Sequence, residues 1–310
     1  MRTAAENTGL NFGQFIEKIK AGVQELFPEA DILAAPTEKN NGLTLTGIVI
    51  KEPGSRVTPT IYLNGHYQSY REGAALSGIV AEVAGLYREN RLEEEPEIPD
   101  ITDFEAVKGL ICFRVVNRER NRERLKGMPH RDFLDLAVIY YIPVTVAGAG
   151  GSITVTDSMA GLWQAGEGDL YRHALENTKR LYPVSLQPMG DVIRDIMGDD
   201  APEGVFPGKD SVPGLPMYVL RCYSGDTGSA AAMLYGDTLR EFGRQHGDFY
   251  ILPSSIHEVI LAPAGRGAAD AGYFCSAVRE VNQAQVAPDE VLSDNAYYYH
   301  AGTGGIEILS

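Results

Sequence analysis

The residue types nearest to a hydrolytic centre are Ser254, Ser255, His257 and Glu258, in the string Ser254-Ser255-Ile256-His257-Glu258. If that string joins two strands, Ser255 and His257 project to one face at a spacing of two, where a hydroxyl could reach an imidazole. Nucleophilic catalysis also requires an orienting third group and an oxyanion site. The same residues fit a structural role, with turn serines capping backbone groups and a His-Glu pair on a strand.

A second concentration of chemistry is basic. Arg118, Arg120, Arg122, Arg124 and Lys126 are interrupted only by charged Glu119 and Glu123 and by Asn121 and Leu125. Left exposed, they would attract phosphate or nucleic acid, whereas acids of the same chain or of a second copy would satisfy them equally. His130 stands beside Arg131, and Asp135 falls in what reads as an apolar strand. A partly buried His, Arg and Asp network holding strand to helix is expected there, with a polar pocket as the alternative. In Tyr297-Tyr298-Tyr299-His300, alternation puts Tyr297 and Tyr299 on one face, packed at a core edge, with any exposed remainder suited to a protein interface.

Other chemistries find little support. His66, His130, His173, His246, His257 and His300 are scattered without a metal-binding spacing, so neither a metal nor a cofactor is expected. The glycines at 148–151 lead into the strand-like ITVT, where a phosphate cradle leads into a helix. The string SGDTGS at 224–229 lacks the lysine of a phosphate-binding loop.

The elements that must position these groups read as follows. Apolar residues from Phe12 to Phe27 recur at helical spacing, so a helix spans about 10 to 27. Three strands follow, ADILAAPT, LTLTGIVI and VTPTIYL, the first two joined by the Asn40-Asn41-Gly42 turn. A helix from Glu72 to Leu92 closes an αβββα lobe over 1–95. EEEPEIPD cannot continue a helix, so 93–100 reads as a linker and 100–310 as a second α+β lobe. That lobe has strands at LICFRVV and FLDLAVIYYIPVTV, a charged helix at NRERNRERLKG between them, and a hairpin around the glycines near 150. Helices are expected at 157–165, 168–182 and 188–197, with 198–216 irregular. From Met217 the pattern reads ββαββα, SAAAMLYG being its second strand and 268–283 its last helix, and a hairpin ends the chain. The fold class is α+β, antiparallel sheets packed with helices.

Composition bounds the rest. The 310 residues carry a net charge of -15, so the overall field disfavours nucleic acid and anionic membranes. Three cysteines, Cys112, Cys222 and Cys275, form no CxxC pair and read as reduced buried thiols, consistent with a cytoplasmic protein. No apolar region follows a basic start, so no secretory signal is expected. The apolar run from Leu134 to Ala147 is shorter than the roughly 20 residues that span a bilayer, so no membrane association is expected.

Five strings, NNGLTLTGIVI, PTIYLNGHY, VVNRERNRERLKGMPHRDFLDLAVIYY, YILPSSIHEVILAP and VLSDNAYYY, resemble the bacterial domain-of-unknown-function family 5688 from about residue 10 onward. The resemblance implies a shared fold and cytoplasmic proteins of anaerobic gut bacteria, and it supplies no catalytic residues. The Gly- and Ala-rich stretches around AGAGG and AGRGAADAG depart from it in loop length. The leading expectation is a non-enzymatic binding or regulatory protein, with a protein partner or self-association as its form of interaction. The alternatives are a hydrolase built on Ser254, Ser255, His257 and Glu258 with His130 and Asp135 nearby, and anion or nucleic-acid binding through residues 118–126.

Overall fold

The computed structural model describes residues 9–55, 57–92, 98–146, 149–198, 216–222, 229–265 and 271–309. The acidic string 93–97, residues 199–215 and the Gly-containing string 224–228 lie outside them. The described residues form an α+β protein of antiparallel sheets and helices. They fall into two compact units, one within Met1–Lys39, Leu43–Glu97 and Thr145–Ala149, the other within Asn40–Gly42, Ile98–Val144 and Gly150–Ser310.

In the first unit, α1 (Phe12–Leu26) starts at a capping box in which Asn11 and Gln14 satisfy each other's backbone N–H. Its face of Phe15, Ile19 and Val23 is buried with Ile48, Ile50 and Val83, each such side chain contributing about 1.5–3 kcal/mol. Strands β1 (Asp31–Glu38), β2 (Thr44–Lys51) and β3 (Thr60–Tyr62) form a meander. The single helix expected from Glu72 to Leu92 is instead α3 (Leu76–Asn90), preceded by a separate α2 (Leu63–Arg71). Gly73 causes the break, because its φ of 108° lies where residues with a Cβ are strained.

The second unit opens with α4 (Phe104–Val107) and β4 (Cys112–Asn117). These are followed by α5 (Arg122–Leu125), β5 (His130–Phe133), β6 (Leu136–Val146) and β7 (Ala149–Thr154). Strand β6 pairs with β4, β5 and β7 in a four-stranded sheet. Gly150 and Gly151 lie within β7. The charged helix expected over 117–127 shrinks to the single turn of α5. Asn117 ends β4 and its side chain accepts the Arg120 N–H, while Asn121 Nδ2 donates back to the Asn117 carbonyl. These local bonds favour a turn over a helix. Helices α6 (Asp157–Trp163) and α7 (Glu167–Leu181) follow, and α7 guards the free edge of β4, where Thr178 Oγ1 accepts the Phe113 N–H at 3.0 Å.

The chain continues through β8 (Val184–Pro188), α8 (Met189–Met197), β9 (Tyr218–Cys222), a 3-10 helix at Ser229–Leu234 and α9 (Gly236–His246). Then come β10 (Phe249–Leu252), β11 (Val259–Pro263), α10 (Ala271–Ala284), β12 (Ala296–His300) and β13 (Gly305–Leu309). The ββαββα expectation is corrected at SAAAML, which is helical, because alanine has little side chain to pack on a pleated surface and favours helix. Strand β8, unexpected from the sequence, joins a six-stranded antiparallel sheet ordered β13-β12-β10-β11-β9-β8.

One face of that sheet, including Cys222, Phe249, Ile251, Leu261, Tyr297 and Tyr299, shares a large core with Phe113, Val138 and Tyr140 of the four-stranded sheet. The other face, including Leu252, Ala262 and Ala296, packs on Phe274, Cys275 and Val278 of α10. Alternation along Tyr297-Tyr298-Tyr299 follows the same division, with Tyr298 donating to Asp248 on the α10 side. Cys112, Cys222 and Cys275 are free and buried. Among the described residues no helix is long and apolar enough to cross a membrane.

Candidate functional site

Residues 253–258 are neither strand nor free loop. Strand β10 ends at Leu252 and β11 begins at Val259, so the connection runs beside the segment 290–293, forming one isolated bridge between Ser255 and Val291. Backbone bonds fix it there: Ile256 N–H to Glu290, Leu292 N–H to Ser254 and Ser293 N–H to Pro253, at 2.9, 3.0 and 2.9 Å. The period-two argument therefore does not apply at Ser255 and His257. The Ser255 hydroxyl accepts the backbone N–H of His257 at 3.1 Å, as a turn-forming serine does, and the imidazole points to Glu290, with Nε2 3.1 Å from Oε1. Glu258 faces Arg221 at 3.9 Å. Ser255, His257 and Glu258 thus form a serine turn and two separate ion pairs, and Ser254 contributes a backbone carbonyl, without the hydroxyl-imidazole bond that nucleophilic activation requires.

These residues do border a cleft. Ser254, Ser255 and Glu258 line one end of a cavity of about 520 Å³ on the α10 face of the six-stranded sheet. Leu252 and Ile260 of the sheet line it, together with Met189 and Met217. Tyr273, Ala277 and Val281 recur every four residues along α10 and form the opposite wall, Tyr273 being 59% and Val281 42% exposed. An apolar hollow with two hydroxyls and one carboxylate at one end is the usual form of a small-molecule site.

Arg118, Arg120, Arg122 and Lys126 meet acids. Arg118 pairs with Asp132 at 2.9 Å, Arg120 with Asp294 at 2.6 Å, Lys126 with Glu123 at 2.6 Å, and Arg122 with Glu119. Arg124 lies within electrostatic reach of Arg114, whose guanidinium is depressed by burial and packs on the Tyr141 ring at 3.9 Å. The expected union of His130 with Asp135 does not form. His130 Nδ1 contacts the Met128 carbonyl, and Arg131 makes two bonds to Glu167, both at 2.9 Å. Burial would raise the Glu167 carboxyl, but the bonds from Arg131 and Tyr140 outweigh it and hold the group below its ordinary value.

Asp135 is not in a strand but in the tight turn between β5 and β6, after Leu134 with its φ of 55°. Its carboxylate accepts from Ser293 Oγ at 2.6 Å, Asn295 Nδ2 at 3.0 Å and Tyr297 Oη at 2.5 Å. Burial and the neighbouring carboxylate push the Tyr297 phenol upward, so it stays a donor. No spacing could have shown this cluster, because its members are about 160 positions apart.

No group of three His, Cys, Asp or Glu side chains placed to hold a metal occurs among the described residues. His66, His257 and His300 each face a single glutamate, Glu82, Glu290 and Glu307. No curated protein and no solved structure matches the chain. Residues 12–301 match the family described as a family of unknown function, DUF5688, so the chain belongs to that family.

Proposed function

We propose that this protein is a non-catalytic, cytoplasmic binding protein whose cleft between α10 and the six-stranded sheet takes a small amphipathic molecule. The observation that carries this reading is the shape and chemistry of the cleft: apolar walls, with Ser254, Ser255 and Glu258 grouped at one end. The ligand class follows from that asymmetry. Its body is apolar, and its head donates hydrogen bonds to the Ser255 hydroxyl and the Glu258 carboxylate, whose loose 3.9 Å contact with Arg221 leaves acceptor capacity. Three free, buried thiols are consistent with a reducing compartment.

The test is titration with N-phenyl-1-naphthylamine, an apolar fluorophore bearing one N–H donor. Saturable binding with one site is expected, lost in Ala277→Trp, which fills the hollow, and in Val281→Arg, which changes only an already exposed wall position. Unsaturable binding, or binding unchanged in a folded Val281→Arg variant, would overturn the reading.

A further inference from the structure

The opposite face of the six-stranded sheet carries a second cavity, of about 480 Å³, with a different character. Arg240 and Arg244, one turn apart on α9, form its basic side, and Phe133, Tyr171 and Tyr299 supply aromatic surface. No Asp or Glu lines it, although the chain carries a net charge of -15. We propose that this cleft is an anion site for a small molecule that joins a carboxylate or phosphate to a flat apolar ring.

Three observations converge on that chemistry. First, the arginines are available. Among the described residues Arg240 has no ion pair within 4 Å; Asp237 feels its charge at longer range and is held by Lys179 at 3.0 Å. Arg244 has only Glu241, at 3.2 Å, and both are well exposed, a pair that water and salt weaken. Arg118 and Arg120, by contrast, hold carboxylates from distant positions of the chain, Asp132 and Asp294.

Second, Tyr299 is 3% exposed, yet no described residue hydrogen-bonds its hydroxyl, which borders the turn at Gly304 on the rim of the cleft. The ring is buried, and a phenol hydroxyl at the rim of a cleft can donate to or accept from a ligand. Its ring stacks on Phe249 at 4.5 Å, which fixes its place.

Third, the backbone is built for close approach. A Cβ at Gly243 would lie 3.1 Å from the Tyr299 ring and 3.3 Å from the Ala301 side chain. Glycine lets α9 press against the turn after β12, which brings Arg240 and Arg244 to the same opening as Tyr299. The guanidinium fork matches an oxyanion, and the aromatic wall matches the ring that carries it.

The test uses 2-naphthoate, its neutral amide 2-naphthamide, and phenyl phosphate, with the full chain and calorimetry at low salt. Wild type should bind 2-naphthoate or phenyl phosphate at least about tenfold tighter than the amide, the scale of a charge-assisted contact. The Arg240→Gln, Arg244→Gln double variant should lose that preference, and Tyr299→Phe should weaken binding several-fold. Preference for the carboxylate or for the phosphate identifies the head group. Val281→Arg should leave anion binding unchanged, which separates this site from the apolar cleft. Equal binding of acid and amide, or full binding by the folded double arginine variant, overturns the proposal.

Discussion

The two faces of the six-stranded sheet carry the same alternation of side chains but opposite kinds of hollow. On the α10 face α10 packs over the strands with Met189 of α8 nearby, and the space beside them is lined by Leu252, Ile260 and Val281. On the other face α9, the 3-10 helix and a whole second sheet share the core, and the remaining gap lies at its margin, where arginine heads and an aromatic wall meet. Among the described residues the thinner cover leaves an apolar gap beside it. Thick cover fills the centre and leaves a gap only at the edge, within reach of long polar side chains.

The sharpest way to break this comparison is to remove the polar tie on the thick side. Asp135→Ala leaves the buried Ser293 and Tyr297 hydroxyls without their acceptor, at about 1–3 kcal/mol each, so a total loss of about 3 kcal/mol is expected in urea unfolding. A change below about 1 kcal/mol would mean the cluster is solvated and the thick face is not closed there.

Next in size is Gly243→Ala. Overpacking against Tyr299 and Ala301 should cost about 1–3 kcal/mol and weaken naphthoate binding while leaving N-phenyl-1-naphthylamine binding intact. Parallel loss of both ligands would show that the two faces are coupled.

A smaller effect is expected from Glu167. Its carboxyl lies below the ordinary value of 4.5, so its stabilisation is complete above about pH 4.5 and fades as pH falls through the lower folded value. The Tm gap between wild type and Glu167→Gln should be open at neutral pH, worth under about 1 kcal/mol for a partly exposed pair, and should close in acid. A gap independent of pH would assign the effect to packing.

The smallest change is expected from Ser255→Ala, which removes one partly exposed turn bond worth about 0.5 kcal/mol, the low end for a hydrogen bond. Ester hydrolysis by the wild type that disappears in this folded variant would contradict the binding reading.

Much of the scaffold was legible because burial imposes periods. Phe15, Ile19 and Val23 announced α1, and Tyr297 and Tyr299 were correctly placed on one face. Local chemistry was misread where side chains bond their own backbone, as Asn117 and Asn121 do in cutting short a charged helix. At Ala230–Ala232 small residues offered no period, and propensity decided for helix. The sites were less visible than the elements. Ser255 and His257 are close in sequence but turn to different partners, while Arg240 and Tyr299 border one cleft from positions that no spacing connects.

The three thiols offer an internal clock for motions of this sheet. Burial pushes Cys112 up to about 11 and raises Cys222 as well, so at neutral pH an alkylating reagent has neither thiolate nor access until the protein opens. Cys222 belongs to the thick core and Cys275 to the layer under α10. Rates of alkylation at these two positions therefore time the release of each covering layer separately, and a faster rate at Cys275 is the signature of a helix that lifts while the rest of the unit stays folded.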